Sequence, residues 1–555
     1  MNFFEEDELL NQLLEDRLDT TFFRYAENEL KELGRACAEE IDERAAHTDR
    51  SGEPQLIKYD KYGNEVSDVW TNEGYRDTVK QVYDMGIAAY RHKKIPELNR
   101  EGNYLYSYAQ GYLVSQSEIG FYCPVTLTMA TAYLLDRYGS DGLKANYLPN
   151  VLSTGAVKLY EGATFLTERQ GGSDVGAIDT HALHVATPDK KTGESHYRLY
   201  GEKYFASNAG VAEVMMVLAR TPGAPSGTKG LSLFLVPLHH EGKKNRLSIR
   251  RLKDKLGVRA VPSAEVEFDG ACGYLVGEKE RGIYYMMEAL NLSRVCNTVA
   301  SLGIMKRAWR ESYQYASERN AFGQRLMEFP MIQDSLVQMK VKHDAELIAT
   351  FDLIERFDRW YEGQTNDKDV ALLRLLIALL KSESSDQSIH FAHEGIEMHG
   401  GNGYIEDFVT PRLLRDAQVL TVWEGTRNIL GLEVIRLVRK YAIHDAFLKL
   451  CTAQIAEIPE DMTERIFLHD AWGLLKDQFD QYTQLTEGEQ TRQVHALTKK
   501  MVTLFEAVSL ATFAVKHQQE KKWLDELDIY IQDQLNPVFG LKVSGWAEET
   551  GRSIL

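Results

Sequence analysis

Leu9, Leu10, Leu13 and Leu14 recur at helical spacing among acidic residues, and this alternation of apolar and acidic positions predicts helices across residues 1–160. One interruption, about Thr48 to Thr71, is rich in Ser, Gly, Asp and Lys and reads as a loop or short hairpin. Between 161 and 275 the period changes to two. Tyr197 and Leu199, Val214 to Leu218, Leu231 to Val236, and Ala264, Val266 and Phe268 predict strands divided by turns such as Pro222 to Gly227. From 276 to 443 helical periodicity returns. Leu336, Met339, Leu347, Phe351, Ile354, Phe357 and Tyr361 share one face, and a second run, Val370 to Met398, ends at the helix-stopping pair Gly400-Gly401. A four-helix bundle would bury these stripes against each other. Residues 444–555 form a further polar, mostly helical region punctuated by Pro459 and Pro537. The pattern therefore predicts an α+β chain, mostly α, in four parts: 1–160, 161–275, 276–443 and 444–555.

Composition supports this division. The chain has 555 residues, 44% apolar and 26% charged, which is globular rather than disordered, and roughly 150 residues per domain gives three or four domains. The net charge of −18 repels phosphate backbones and anionic bilayers, which leaves nucleic acid only a local basic island. Glu5, Glu6, Asp7, Glu8, Glu15 and Asp16 all precede the first basic residue, Arg17, so neither a secretory nor a transit peptide is expected. The uncharged stretch Ile119 to Leu135 carries three threonines and falls short of a membrane span. Cys37, Cys123, Cys272, Cys296 and Cys451 are scattered and lack CxxC spacing; the expectation is free thiols in a reducing cytoplasm and no metal site.

Three segments could carry chemistry. Residues 163–176, with Thr167, Gly171, Gly172 and Ser173, join a strand to a Gly-rich turn where hydroxyls can donate to a phosphate or a ring heteroatom. An ordinary turn is the commoner reading of such a loop alone. Residues 397–404 follow a long helix, and either close it or turn main-chain N–H groups toward a pyrophosphate. Residues 417–428 place one carboxylate, Glu424, after an apolar run and before Gly425. Desolvation by Val422 and Trp423 would suit it as a general base, whereas a solvated first-turn acid is the usual role of such a Glu. A basic cluster, Arg246, Arg250, Arg251, Lys253, Lys255 and Arg259, reads first as a solvated face, then as a site for a phosphorylated ligand, and last as a DNA contact.

Taken together and in this order, the segments resemble the acyl-CoA dehydrogenase family. The matching motifs are Thr-Glu-Xaa-Xaa-Xaa-Gly-Ser-Asp at 167–174, Lys-Leu-Gly-Xaa-Arg at 255–259, Arg-Xaa-Xaa-Phe-Gly at 319–323, Gly-Gly-Asn-Gly-Tyr at 400–404 and Trp-Glu-Gly-Thr at 423–426. Cys-Pro-Val-Thr-Leu-Thr at 123–128, Arg-Leu-Lys-Asp-Lys-Leu-Gly at 251–257 and the added C-terminal region are similar to the AidB-type branch, flavoproteins associated with the response to DNA alkylation. The resemblance implies an N-terminal helical domain, a middle β domain, a C-terminal four-helix bundle and an extra C-terminal helical region. It implies FAD held between domains and across a subunit boundary of a homotetramer. By position, Leu166, Thr167 and Ser173 would line the flavin, Phe205 would stack on its ring, and Ser207 would approach flavin N5. Arg319 and Phe322 would meet the pyrophosphate and adenine of a neighbouring subunit's FAD. Glu397, Met398, His399, Gly400 and Gly401 would close over that cofactor, and Thr426 and Asn428 would contact it. Ser173, Asn291, Arg294 and Gly425 fall at substrate positions.

Glu424 matches the family's catalytic base. The implied reaction is α,β-dehydrogenation of an acyl-CoA thioester: the α-proton goes to Glu424 and the β-hydride to flavin N5. The enolate-like oxygen is held by a flavin hydroxyl and the base's own main-chain N–H. Some relatives carry the base on the helix of Arg294, but the preceding position here is Ser293, so Glu424 is the matched candidate. The chain departs from the family pattern at Pro330 and Glu397, where Gln is usual, at Asn291, which replaces an acid, and at His399, where an apolar residue is common.

The resemblance leaves three readings: a working dehydrogenase that passes electrons to an electron-transfer flavoprotein, an AidB-like flavoprotein that associates with DNA and has little dehydrogenase activity, and a flavin-stabilised scaffold. Residues 441–555 carry eight Lys and three Arg against eight Asp and ten Glu, a balance of −7. A DNA platform draws its affinity from basic residues, so this region is expected to cap the bundle or build the tetramer rather than bind DNA.

Overall fold

The computed structural model describes residues 1–189, 192–541 and 548–555. The chain divides into two units, one of Met1–Glu8 with Leu18–Cys296 and one of Leu9–Arg17 with Asn297–Leu555. The first helix, α1 (Glu8–Arg17), thus lies almost wholly in the second unit. Leu9, Leu10, Leu13 and Leu14 are buried there, and Arg17 pairs with Asp352 at 2.6 Å while Asp16 meets Lys516 at 2.9 Å and His517 at 2.8 Å.

The first unit opens with α2 (Thr20–Ala36), whose N-terminal amides are capped by the Asp19 carboxylate. Within the Ser- and Gly-rich stretch the chain forms an antiparallel hairpin, β1 (Gln55–Tyr59) with β2 (Glu65–Trp70). All twelve residues of α3 (Tyr104–Ser115) are buried, as expected of a helix apolar on every side. The long uncharged stretch folds as α4 (Ile119–Tyr138), another buried helix, with Pro124 near its start and the Thr128 hydroxyl donating to the Pro124 carbonyl. Among the described residues no helix is long and apolar enough to cross a membrane.

Among the described residues the period-two region supplies the main sheet: β3 (Gly162–Phe165), β4 (His181–Pro188), β5 (Ser195–Ser207), β6 (Val214–Arg220), β7 (Leu231–Pro237), β8 (Leu247–Leu252) and β9 (Ser263–Val276). They form one sheet in the order β8-β9-β5-β4-β6-β3, with β7 pairing β9 and β6. Ala163, Phe165, Leu199, Val217, Phe234, Val236, Ile249 and Val266 fill the core. β5 and β9 run antiparallel with Ser207 opposite Ser263, which sets the end of the longest ladder at the candidate ring-facing residues.

α5 (Gly282–Glu318) runs from the first unit into the second. The second unit continues with α6 (Pro330–Tyr361), α7 (Asp367–His399), α8 (Thr410–Leu420) and α9 (Arg427–Tyr441), then α10 (Ile443–Ala456), α11 (Thr463–Tyr482), α12 (Glu487–Lys516) and α13 (Lys521–Tyr530). An Asn366–Asp369 capping box starts α7, and a Thr486–Glu489 box starts α12. The added region is fastened to the bundle by a buried charge cluster. Lys342 of α6 lies 2.9 Å from Glu346, 3.0 Å from Glu383 of α7 and 2.6 Å from Glu506 of α12, while Lys499 of α12 meets Glu383 at 2.6 Å. The three carboxylates approach within 4.8 Å of one another, close enough for a cation site, and the Lys342 ammonium supplies that cation. Burial, with Glu506 and Glu383 adding to it against the pull of Lys342, pushes the Glu346 carboxyl up to about 8. A proton held there offsets the third carboxylate against the two ammoniums.

Candidate functional site

The candidate residues occur as two sets, one in each unit. In the first unit, Leu166 and Thr167 leave the end of β3 and Ser173 sits on the exposed turn that follows. A buried ion pair shapes this turn: Lys203 of β5 reaches Glu168 at 2.8 Å and also donates to the Leu166 carbonyl at 3.2 Å. Glu168 accepts from the Asp179 and Thr180 amides and from the Thr180 hydroxyl. Burial alone would raise the Glu168 carboxyl, but the Lys203 ammonium and these donors hold it below its ordinary value. Glu168 lies inside a motif read from the sequence and Lys203 does not, and a pair 35 positions apart leaves no periodic signal.

Along β5, Phe205 projects with 56% of its surface exposed, the Lys253 ammonium 4.7 Å from its ring and 3.4 Å from that of Tyr204. Ser207 lies 3.3 Å from the Ser263 hydroxyl. Asn208 follows with φ +63° and is buried, its side-chain amide donating to the Glu161 carboxylate at 3.3 Å. On α5, the Arg294 guanidinium donates to the Asn291 amide oxygen at 3.3 Å.

The basic cluster is neutralised across the sheet. Arg246 pairs with Asp269, Arg250 with Glu202 and Glu267, and Arg251 and Lys253 with Glu265. Arg259 pairs with Glu53, and Lys255 donates to the Val258 and Val261 carbonyls. The acids on neighbouring strands alternate with the bases, so no basic island forms here.

In the second unit, Arg319 is exposed and precedes a tight hairpin whose tip is Phe322-Gly323, with φ +53° and +91°. An aromatic held in the left-handed region and 98% exposed costs the isolated chain both strain and apolar hydration, the signature of a residue that meets something else. α7 ends at His399, whose Nδ1 donates to the Gly395 carbonyl at 2.7 Å and whose ring packs 4.3 Å from that of Tyr315. Glu397 is exposed, Met398 half-buried, and both Gly400 (φ +59°) and Gly401 face open space where a side chain would otherwise project.

Between α8 and α9 the chain turns through Glu424 at φ +60° and Gly425 at φ +106°. Glu424 is partly buried, but Val422 is 57% exposed, so Val422 does not supply the expected apolar screen; the turn after α8 points it outward. Thr426 is the N-cap of α9, yet its hydroxyl makes no capping bond. The Asn428 amide oxygen accepts from His495 Nε2 on α12 at 2.9 Å, a contact from the added region that no motif announced.

Comparison with known proteins identifies the family. Residues 163–271 match the acyl-CoA dehydrogenase middle domain, residues 280–438 the acyl-CoA dehydrogenase C-terminal domain, and residues 1–155 the adaptive response protein AidB N-terminal domain. Acyl-CoA dehydrogenase family member 11 from Caenorhabditis elegans is 32% identical over 79% of this chain and 70% of its own length. The chain belongs to the acyl-CoA dehydrogenase family. Within that family, the putative acyl-CoA dehydrogenase AidB of Escherichia coli is 30% identical over 70% of each chain. The crystal structure of Caenorhabditis elegans ACDH-11 in complex with C11-CoA superposes with a TM-score of 0.85 at 26% identity, covering 97% of this chain and 92% of that one. Acyl-CoA dehydrogenases are FAD-dependent oxidoreductases acting on CH–CH bonds, and this member carries the AidB-type N-terminal domain. Its own residues suit such a cofactor: an exposed aromatic at the end of β5, a Thr426 hydroxyl with no capping duty, and glycines 400 and 401 beside open space.

Proposed function

We propose that this chain oxidises an acyl-CoA thioester to its α,β-unsaturated product, with Glu424 as the base that takes the α-proton. The observation that carries the reading is a partly buried carboxylate held at a left-handed position in the turn between two bundle helices. Bound FAD supplies the acceptor for the β-hydride, so the two electrons leave the substrate with that hydride and the proton leaves separately to Glu424. Leu166, Thr167, Ser173, Phe205 and Ser207 would hold the ring end of the cofactor. Arg319 and Phe322 would meet the pyrophosphate and adenine of a neighbouring subunit's FAD, Glu397 to Gly401 would close over that cofactor, and Thr426 and Asn428 would contact it. The Glu424 main-chain N–H is this chain's own donor to the thioester oxygen, and Gly425 leaves the thioester room to approach it. Ser173, Asn291 and Arg294 would orient the substrate. An electron-transfer flavoprotein as acceptor, a homotetramer that covers Phe322, and a cytoplasmic setting for the five unbridged cysteines complete the proposal.

The test is anaerobic mixing with saturated acyl-CoAs graded in length and branching while flavin absorbance is followed. Bleaching with one class of thioester is expected, and Glu424→Gln should slow it by about a hundred- to ten-thousand-fold. An absorbance unchanged by every thioester would sink the reading.

The match to the AidB N-terminal domain favours a second reading, a flavoprotein that associates with DNA and turns over little. The negative balance of residues 441–555 and the neutralised cluster on the sheet weigh against it.

A further inference from the structure

We propose that Lys381 is a positioning residue for the base: its buried ammonium fixes the Gly425–Thr426 peptide plane, one residue beyond Glu424. This rests on the reading of Glu424 as the proton acceptor. Lys381 lies in the middle of α7, fully buried, directly after Leu375 to Leu380, of which none is more than 2% exposed. Its Nζ donates to the Gly425 carbonyl at 2.8 Å, across 44 positions of sequence. Removing an ammonium from water is costly, and an apolar side chain would fill this place in α7 more cheaply. The charged bond to Gly425 gives the lysine a reason to be there.

The position of that bond matters. Glu424 and Gly425 both adopt positive φ, and a non-glycine residue holds such a conformation only where its surroundings impose it. On the α8 side, the Val422 and Trp423 amides donate to the Val419 carbonyl at 2.9 Å; on the α9 side, the Leu430 amide donates to Thr426 at 3.0 Å. Those bonds fix the two ends of the turn. The Lys381 bond holds its middle from a different helix, at the carbonyl of the residue after the base. If that peptide rotates, Gly425 can relax from its positive φ and the left-handed conformation that sets the Cα–Cβ direction of Glu424 relaxes with it, and a displacement of about 1 Å at a reacting group costs roughly a hundredfold in rate. Lys381 also anchors its own helix turn, since the Ser385 hydroxyl donates to its carbonyl at 2.7 Å, so the ammonium is presented from a rigid support.

The test compares wild type, Lys381→Met, Lys381→Gln and Glu424→Gln as FAD-loaded proteins in anaerobic single-turnover reduction by the thioester that bleaches wild type. Lys381→Met is expected to keep its FAD and its half-saturating thioester concentration within about threefold, while its limiting rate of reduction falls about a hundredfold. Lys381→Gln, which keeps a shorter neutral donor, should recover part of that loss, and it carries the test if the Met variant does not fold. Hydrogen exchange gives a readout that needs no turnover: amides 424–428 of Lys381→Met should exchange at least about tenfold faster than in wild type. A limiting rate within threefold of wild type, unchanged exchange at 424–428, or loss of FAD from both variants would overturn the proposal. If Glu424→Gln is reduced as fast as wild type, the assignment of the base is what fails, and the positioning role falls with it.

Discussion

Glu161 and Asn208 show how a single buried acid can tie the fold of the first unit to pH. Glu161 is only 6% exposed, and burial, with the charge of Glu213 added, pushes its carboxyl up to about 8 against the Asn208 hydrogen bond. In the folded chain it stays protonated up to that pH, whereas in the unfolded chain it ionises near 4.5. The folded state therefore binds more protons in between, so this residue's contribution to stability is full below about 4.5 and declines until about 8. At about 1.4 kcal/mol per pH unit the loss reaches several kcal/mol. Glu161→Gln should leave the melting temperature near that of wild type at pH 5 and raise it by a few degrees at pH 8; parallel curves for the two proteins would refute the assignment. Legibility at this scale was uneven. Glu424 and Thr167 stand inside short segments that the residues alone single out, and Phe205 and Phe322 were named through the family resemblance. Glu161, Lys203, Lys381 and His495 could not be named, because each acts on a partner many positions away and burial decides what its charge does.

At the scale of elements, α9 and α12 meet where α9 carries Gly431. A Cβ at that position would lie 3.0 Å from a Val494 methyl and 3.4 Å from the His495 ring, so the helices approach closely because a side chain is missing. Gly431→Val overpacks this contact, at an expected cost of about 1–3 kcal/mol. It should also loosen FAD retention through the neighbouring His495–Asn428 hydrogen bond. Thermal melts with measured FAD content test both effects, and hydrogen exchange in the β3–β9 sheet should stay unchanged. The helices themselves were readable from the sequence. The apolar stripe between 331 and 361 became α6, the run ending at Gly400 became α7, and the change to a period of two marked the strands of the sheet. What periodicity could not give was the partner of each face. α1 sits among acidic helical residues at the N-terminus, yet its leucines are buried in, and its Asp16 and Arg17 pair with, the second unit.

For the whole molecule, a charge of −18 is distributed in a way that bears on function. The densest run of arginines and lysines is answered by Glu202, Glu265, Glu267 and Asp269 on adjacent strands, and the added C-terminal region is net acidic. Affinity for duplex DNA grows with the number of phosphates neutralised and falls steeply with salt. The purified protein should therefore leave duplex DNA unshifted at physiological salt. A retained complex whose affinity falls about a thousandfold or more between 50 and 200 mM salt would instead reveal a phosphate-binding face and revive the AidB-like reading.

The cluster around Lys342 has a consequence for assembly. Leucines on facing helices interlock almost as well after a slip of one turn, because apolar contacts carry no direction. A lysine surrounded by three carboxylates from α6, α7 and α12 does not tolerate such a slip: moving α12 by one turn would strand Glu506 in the apolar interior and leave Lys342 one counter-charge short. The cluster thus works as a registration pin, selecting one alignment of the added region on the bundle among many that hydrophobic packing alone would accept. That alignment brings His495 to Asn428.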